Sequence, residues 1–341
     1  MPSCRRAASW LLAVACLTGA LPAADAAGVL RERLRDRIAA RAAPPPVPAT
    51  LLGPAQPIIA PGRYEIRLRV NGAERFALVH VPALHQPGRP MPLVMALHGG
   101  GGGAVYQADD ATYGLISKSE QAGFIAVFPN GTSATKNGML ATWNAGNCCA
   151  RARDEQVDDV AFLRAVVADV ARRIEVAPQR VYAIGMSNGG MMAYRLACEA
   201  GTVFHGIMSV AGTDNTRQCA PAQPVPVLHI HARNDDRVLF NGGAGDKFRR
   251  EAQVTDFVSV PATISRWVGF NHSAGPAQRT VDVPGAYCER HAAGPGGAPV
   301  QLCVTETGGH SWPGGNKHRG DEPPSQAINA NDLMWEFFSS L

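Results

Sequence analysis

Residues 181–190 read Val181-Tyr182-Ala183-Ile184-Gly185-Met186-Ser187-Asn188-Gly189-Gly190. The apolar run 181–184 is the length of a buried strand, and 191–198 that follows has helix-like apolar spacing. Between them stands Gly185-Met186-Ser187-Asn188-Gly189, in the strand–turn–helix context that a Gly-x-Ser-x-Gly nucleophile elbow requires. The turn holds the serine in a strained conformation, so side chains on the flanking glycines would clash. It also lifts Ser187 Oγ above the sheet and puts the Asn188 N–H at the start of a helix.

The flanking sequence repeats this alternation. Residues 63–70 and 75–81 alternate apolar and polar positions around Asn71-Gly72, which predicts an antiparallel hairpin. Short apolar runs at 93–97, 124–128, 207–210, 225–230 and 300–305 read as strands. Helices are predicted over 157–176, opened by Asp158-Asp159, and over 263–270 and 331–341. Apolar strands separated by helices indicate a mostly parallel sheet with helices on both faces, in one α/β domain.

A serine hydroxyl needs a base and an orienting acid to become a nucleophile, and after such an elbow they follow in the order acid, then histidine. The strand 225–230 runs into His231-Ala232-Arg233-Asn234-Asp235-Asp236, which offers Asp235 as the acid, with Asp236 able to replace it. His310 stands in Gly308-Gly309-His310-Ser311-Trp312-Pro313, between the last strand and the last helix, and is the candidate base. His98 and five glycines follow the strand at 93–97, where a second oxyanion loop belongs; Gly100 is the chosen donor, paired with Asn188. A phosphate-binding reading of these glycines fails for want of a following Lys-Ser/Thr. His229 and His231 share one face of a strand, but no third metal ligand of obvious spacing accompanies them, so a hydrogen-bonded structural role is expected. No metal and no cofactor is implied.

The composition, 46% hydrophobic and 18% charged, is that of a globular chain. The formal charge of +4 resides at the N-terminus: residues 1–26 carry a net +1 and residues 27–57 a net +3, leaving 58–341 neutral. A general nucleic-acid-binding face is therefore unsupported. Arg5-Arg6, the apolar stretch 10–21 and Ala24-Asp25-Ala26 read as a signal peptide, 1–26, cleaved after Ala26. Residues 27–57 read as an Arg/Pro-rich linker or pro-segment, and 58–341 as the catalytic domain. No later run is long enough for a membrane span. The mature protein is expected to be secreted or periplasmic, a compartment in which its six remaining cysteines can pair. Cys288 and Cys303 flank a Gly/Pro-rich loop between two strand-like runs and are the first expected disulfide. Cys198–Cys219 is the second, which leaves Cys148 and Cys149 unexplained.

From about residue 60 to the end, the sequence resembles the secreted poly(3-hydroxybutyrate) depolymerase/feruloyl esterase-like family of α/β-hydrolases. The resemblance rests on Leu97-His98-Gly99-Gly100-Gly101-Gly102, Thr142-Trp143-Asn144-Ala145-Gly146-Asn147-Cys148-Cys149 and Val157-Asp158-Asp159-Val160-Ala161-Phe162-Leu163. It rests equally on Gly185-Met186-Ser187-Asn188-Gly189-Gly190-Met191 and Gly309-His310-Ser311-Trp312-Pro313-Gly314. It implies the α/β-hydrolase fold, Ser187 as nucleophile, Asp235 as acid, His310 as base, and Trp143, Asn144 and Trp312 as walls of the site. It implies a carboxylic ester of hydroxyalkanoate or feruloyl type as substrate.

The segment around the acid departs from the family's His-Gly-Thr-x-Asp-Pro-x-Val-Pro-Tyr by adding Arg233 and Arg237. Lys247, Arg249, Arg250 and Lys317-His318-Arg319 follow nearby in sequence. Such cations point to an anionic polyamide as the alternative substrate, since a branch of the family includes poly(aspartic acid) hydrolases. A non-catalytic binding protein is disfavoured, because only chemistry requires serine, acid and histidine together. The oligomeric state is not legible in the sequence.

Overall fold

The chain alternates strands and helices along most of its length, as its apolar runs dictate. The structure, a computed structural model, describes residues 50–51, 53–54, 56–135, 138–246, 256–316 and 322–341. The expected signal peptide, most of the linker, and Lys247, Arg249, Arg250, Lys317, His318 and Arg319 lie outside the described residues.

Among the described residues, eleven strands form one sheet: β1 (Thr50–Leu51), β2 (Gly62–Val70), β3 (Ala73–Val81), β4 (Met91–Leu97), β5 (Ile125–Pro129), β6 (Val176–Met186), β7 (Ile207–Val210), β8 (Val227–Ala232), β9 (Ser273–Val283), β10 (Ala286–Ala293) and β11 (Val300–Thr305). Their order is β1-β2-β3-β5-β4-β6-β7-β8-β11-β10-β9. The central six, from β5 to β11, pair in parallel. Antiparallel hairpins close both sides, β2–β3 at one and β9–β10 beside β11 at the other. The first hairpin turns at Asn71 (φ 49°) and Gly72 (φ 79°), the left-handed pair that a two-residue turn needs.

The principal helices are α1 (Leu115–Ala122), α2 (Asp159–Arg173), α3 (Asn188–Ala200), α4 (Val260–Phe270) and α5 (Ala330–Ser339). Because side chains of a strand point alternately to opposite faces, the sheet serves two cores. Leu93, Met95 and Leu97 of β4 pack with α2 and α3, whereas Val94 and Ala96 pack with the layer holding α1 and α5. Helix α2 starts where the Asp158 side chain accepts the Ala161 N–H, and α4 where Ser259 accepts that of Ala262.

Two expected disulfides are present, Cys198–Cys219 and Cys288–Cys303, the latter joining directly opposed residues of β10 and β11. The leftover cysteines also pair, as a vicinal disulfide, Cys148–Cys149. Among the described residues no helix is long and apolar enough to cross a membrane.

Candidate active site

Ser187 sits between β6 and α3 with φ 55° and ψ −123°, a left-handed conformation that non-glycine residues seldom adopt. Its N–H donates to Val210 O (2.8 Å) and its carbonyl accepts from Met191 N (2.9 Å), so the strained turn is held from both sides. The flanking glycines are demanded by close approach. A side chain on Gly185 would collide with the Gly189 backbone, and one on Gly189 with the Leu97 carbonyl.

Asp235 follows β8, at the end of the sheet where parallel strands gather their sites. Its Oδ1 accepts the N–H groups of Arg237 (2.8 Å) and Val238 (3.0 Å). His310, on the loop after β11, places Nδ1 2.8 Å from Asp235 Oδ2 and 3.1 Å from Oδ1, and both side chains are buried. Burial alone would raise the Asp235 pKa. Electrostatic attraction to the His310 ring, and hydrogen bonds from His231 and His310, outweigh it and hold the carboxyl well below the usual carboxylate range. Asn234 ties the two loops together by accepting Gly309 N–H (3.0 Å), while its amide donates to Glu322 (2.9 Å). Asp235 rather than Asp236 therefore meets the histidine.

Ser187 and His310 line one cleft of about 550 Å³ with Gly99, Gly100, Asn188 and Trp312. Gly100 and Asn188 lie side by side, since a Cβ on Gly100 would fall 3.7 Å from Asn188 Cβ. The glycine loop is anchored by His98, which is fully buried. Gly131 N–H donates to His98 Nε2 (2.9 Å), so Nδ1 carries the proton and donates to Gly99 O (2.9 Å). Burial lowers the His98 pKa to about 4, keeping the ring neutral.

Of the expected walls, Trp312 reaches the cleft and Trp143 and Asn144 do not. Trp143 is fully buried and its Nε1–H donates to His98 O (2.9 Å). Its backbone N–H and C=O are both engaged by the Asn188 side chain, at 2.7 and 3.0 Å. Asn144 is buried, donating its N–H to Asp159 and its amide to Val157 O. Arg237 lines the cleft. Arg233 is directed elsewhere: it pairs with Glu306 (3.1 Å), donates to Tyr287 Oη (3.0 Å) and lies over the Phe240 ring.

Sequence reasoning missed the remaining walls. Cys148 and Cys149 face the cleft, as do Tyr106, Tyr113, Met139, Leu140 and Phe257. The signal for the cysteines was their adjacency; the others come from loops whose direction no periodicity encodes. Cys198, Cys219 and the Asp214 carboxylate are, among the described residues, the one cluster close enough for a metal ion, but the disulfide occupies both thiols.

A family model, Esterase, matches residues 70–270, more than half of the chain. The chain belongs to the Esterase family. This esterase-family chain is 30% identical over 196 residues to Feruloyl esterase B of Piromyces equi, covering 55% of itself and 34% of that relative. It thus spans about a third of that protein's length. It is also 30% identical over 308 residues to NocK of Nocardia uniformis subsp. tsuyamanensis, which carries an esterase name, covering 80% of itself and 84% of NocK. In fold it is similar to the acetyl xylan esterase from Aspergillus awamori (TM-score 0.54, 14% identity, 81% of this chain and 99% of that one). The pOPH crystal structure is a second neighbour (TM-score 0.51, 16% identity, 77% and 84%). At such identities the likeness establishes the α/β-hydrolase fold.

Proposed function

We propose that the protein is a secreted serine hydrolase that cleaves carboxylic esters through an acyl-enzyme. The observation that carries the reading is the buried His310–Asp235 hydrogen bond in the cleft lined by the strained Ser187. In this mechanism Asp235 fixes the His310 tautomer with the proton on Nδ1, leaving Nε2 as the general base. His310 takes the proton of Ser187 Oγ as the oxygen attacks the ester carbonyl, and the N–H groups of Gly100 and Asn188 stabilise the oxyanion. His310 then returns the proton to the departing alcohol. Water repeats the sequence on the acyl-enzyme, releasing the acid and restoring Ser187.

The lining of tyrosines, methionines, Leu140, Phe257 and Trp312 supports an acyl or alcohol group with a large apolar face, of hydroxyalkanoate or feruloyl type. Arg237 at the cleft keeps an anionic polyamide as the second reading, but Arg233 is neutralised by Glu306. Three disulfides support an oxidising compartment, in keeping with a signal peptide over 1–26 and a mature catalytic domain from about residue 58. The test is p-nitrophenyl butyrate hydrolysis by the mature protein and its Ser187→Ala variant. The variant should lose activity by about 10⁵-fold or more; full turnover without Ser187 would refute the mechanism.

A further inference from the structure

Three buried groups that the proposed mechanism does not use stand in a line ending at its acid. Tyr194 Oη, from α3, lies 2.8 Å from His229 Nδ1; His229 Nε2 lies 3.1 Å from His231 Nδ1; and His231 Nε2 lies 2.8 Å from Val238 O. The same Nε2 is 3.4 Å from Asp235 Oδ2. The two imidazole planes lie 3° apart with their centroids 5.3 Å apart, an edge-to-edge arrangement that suits an in-plane N–H···N bond, and the Phe240 ring meets His231 at 81°.

The direction of every donor follows from the far end. A carbonyl can only accept, so His231 Nε2 carries a proton and points it at Val238 O and, beside it, Asp235 Oδ2. In the neutral ring His231 Nδ1 is then bare and must accept from His229 Nε2–H. His229 Nδ1 is bare in turn and accepts the Tyr194 hydroxyl. Burial keeps Tyr194 and His229 uncharged: it drives the His229 pKa down and the Tyr194 pKa up. With both rings neutral, the chain has one arrangement of protons.

We propose that His231 is a positioning residue for Asp235, clamping the turn that carries the acid, and that Tyr194 and His229 fix the direction of its N–H. Val238 is gripped from both sides, its N–H by Asp235 Oδ1 and its carbonyl by His231 Nε2, so the turn closes on itself. Tyr194 belongs to the helix that begins immediately after Ser187, so the line ties the nucleophile's helix to the acid's turn through the interior. A metal role for the histidine pair is unnecessary, since each of the four ring nitrogens already has a hydrogen-bond partner.

This inference rests on the serine-hydrolase reading above, and its test separates the two. Steady-state kinetics on p-nitrophenyl butyrate are measured for the wild type, Ser187→Ala, His231→Gln, His231→Asn and His231→Leu, with folding checked by thermal denaturation. A glutamine amide nitrogen reaches about as far as Nε2 and can grip Val238 O; an asparagine amide reaches only as far as Nδ1. His231→Gln should retain kcat within about threefold, whereas His231→Asn and His231→Leu should lose about tenfold or more in kcat with KM nearly unchanged. Should the leucine variant fail to fold, the two amides decide the matter. Equal kcat for Gln and Asn, wild-type kcat in a folded His231→Leu, or a loss carried by KM overturns the positioning role. Activity surviving in Ser187→Ala overturns the hydrolase reading itself, whatever the His231 variants do.

Discussion

Asp235 is a carboxylate whose two oxygens are committed to two backbone N–H groups and to His310. Replacing it by asparagine keeps the shape but can leave His310 in the tautomer with its proton on the wrong nitrogen. Asp235→Asn should lower kcat by about 10³–10⁴-fold with a small change in KM, in the same ester assay. His98 sets a pH limit on stability rather than on chemistry. Its pKa falls from an ordinary 6.5 to about 4 because the ring is buried, so between those values the unfolded chain binds a proton that the folded chain excludes. The His98 contribution to stability is fully present above pH 6.5 and should fall by roughly 3 kcal/mol as the pH falls to 4. Urea midpoints across that window measure it, and a flat profile would show that the ring protonates without disturbing the glycine loop. Ser187, His310 and Asp235 were legible because chain order and motif grammar constrain them. Trp143 and Asn144, expected as walls, and Arg233, expected as a substrate contact, do not line the cleft, because sequence proximity to a motif does not tell which way a side chain turns.

At the scale of elements, strands buried on both faces announced themselves. The runs 207–210 and 300–305 have the bounds that the sequence suggested. Strand β6 is longer than its apolar run because Val176–Arg180 carries polar, exposed positions before it enters the core. Strand β9 was illegible for the same reason: it is an edge strand, almost wholly exposed, and Gly275-Pro276 near its start reads as a turn. What attaches this edge is β10, whose opposite side is fastened to β11 by Cys288–Cys303. That disulfide closes a span of 15 residues and links the outer hairpin to a strand of the parallel core. The double variant Cys288→Ala/Cys303→Ala should lose about 3 kcal/mol, read from the urea midpoint at pH 7. The pairing of Cys148 with its neighbour had no such signal, since adjacent cysteines flank no loop.

Across the whole molecule the question is whether the basic residues near the acid in sequence form an electrostatic surface in space. Residues 58–341 carry no net charge, and the cations that distinguish this chain from its resemblance are partly cancelled where they can be placed. Glu306 pairs with Arg233, and the Glu322 carboxylate is drawn beneath the His310 loop by Asn234 and Gly308 N–H. Arg237 lines the cleft. Long-range steering needs a field, and a field is what salt removes, as the Debye length shrinks from about 30 Å at 0.01 M to about 3 Å at 1 M. For a neutral ester, kcat/KM should therefore change by less than about twofold over that range, because nothing in its approach depends on charge. Soluble poly(aspartate) is the discriminating partner. With Arg233 neutralised, it should be cleaved far more slowly than p-nitrophenyl butyrate at every ionic strength. Rapid poly(aspartate) cleavage that collapses with added salt would instead show that the cations work as a surface, and would move the substrate from a neutral ester to an anionic polymer.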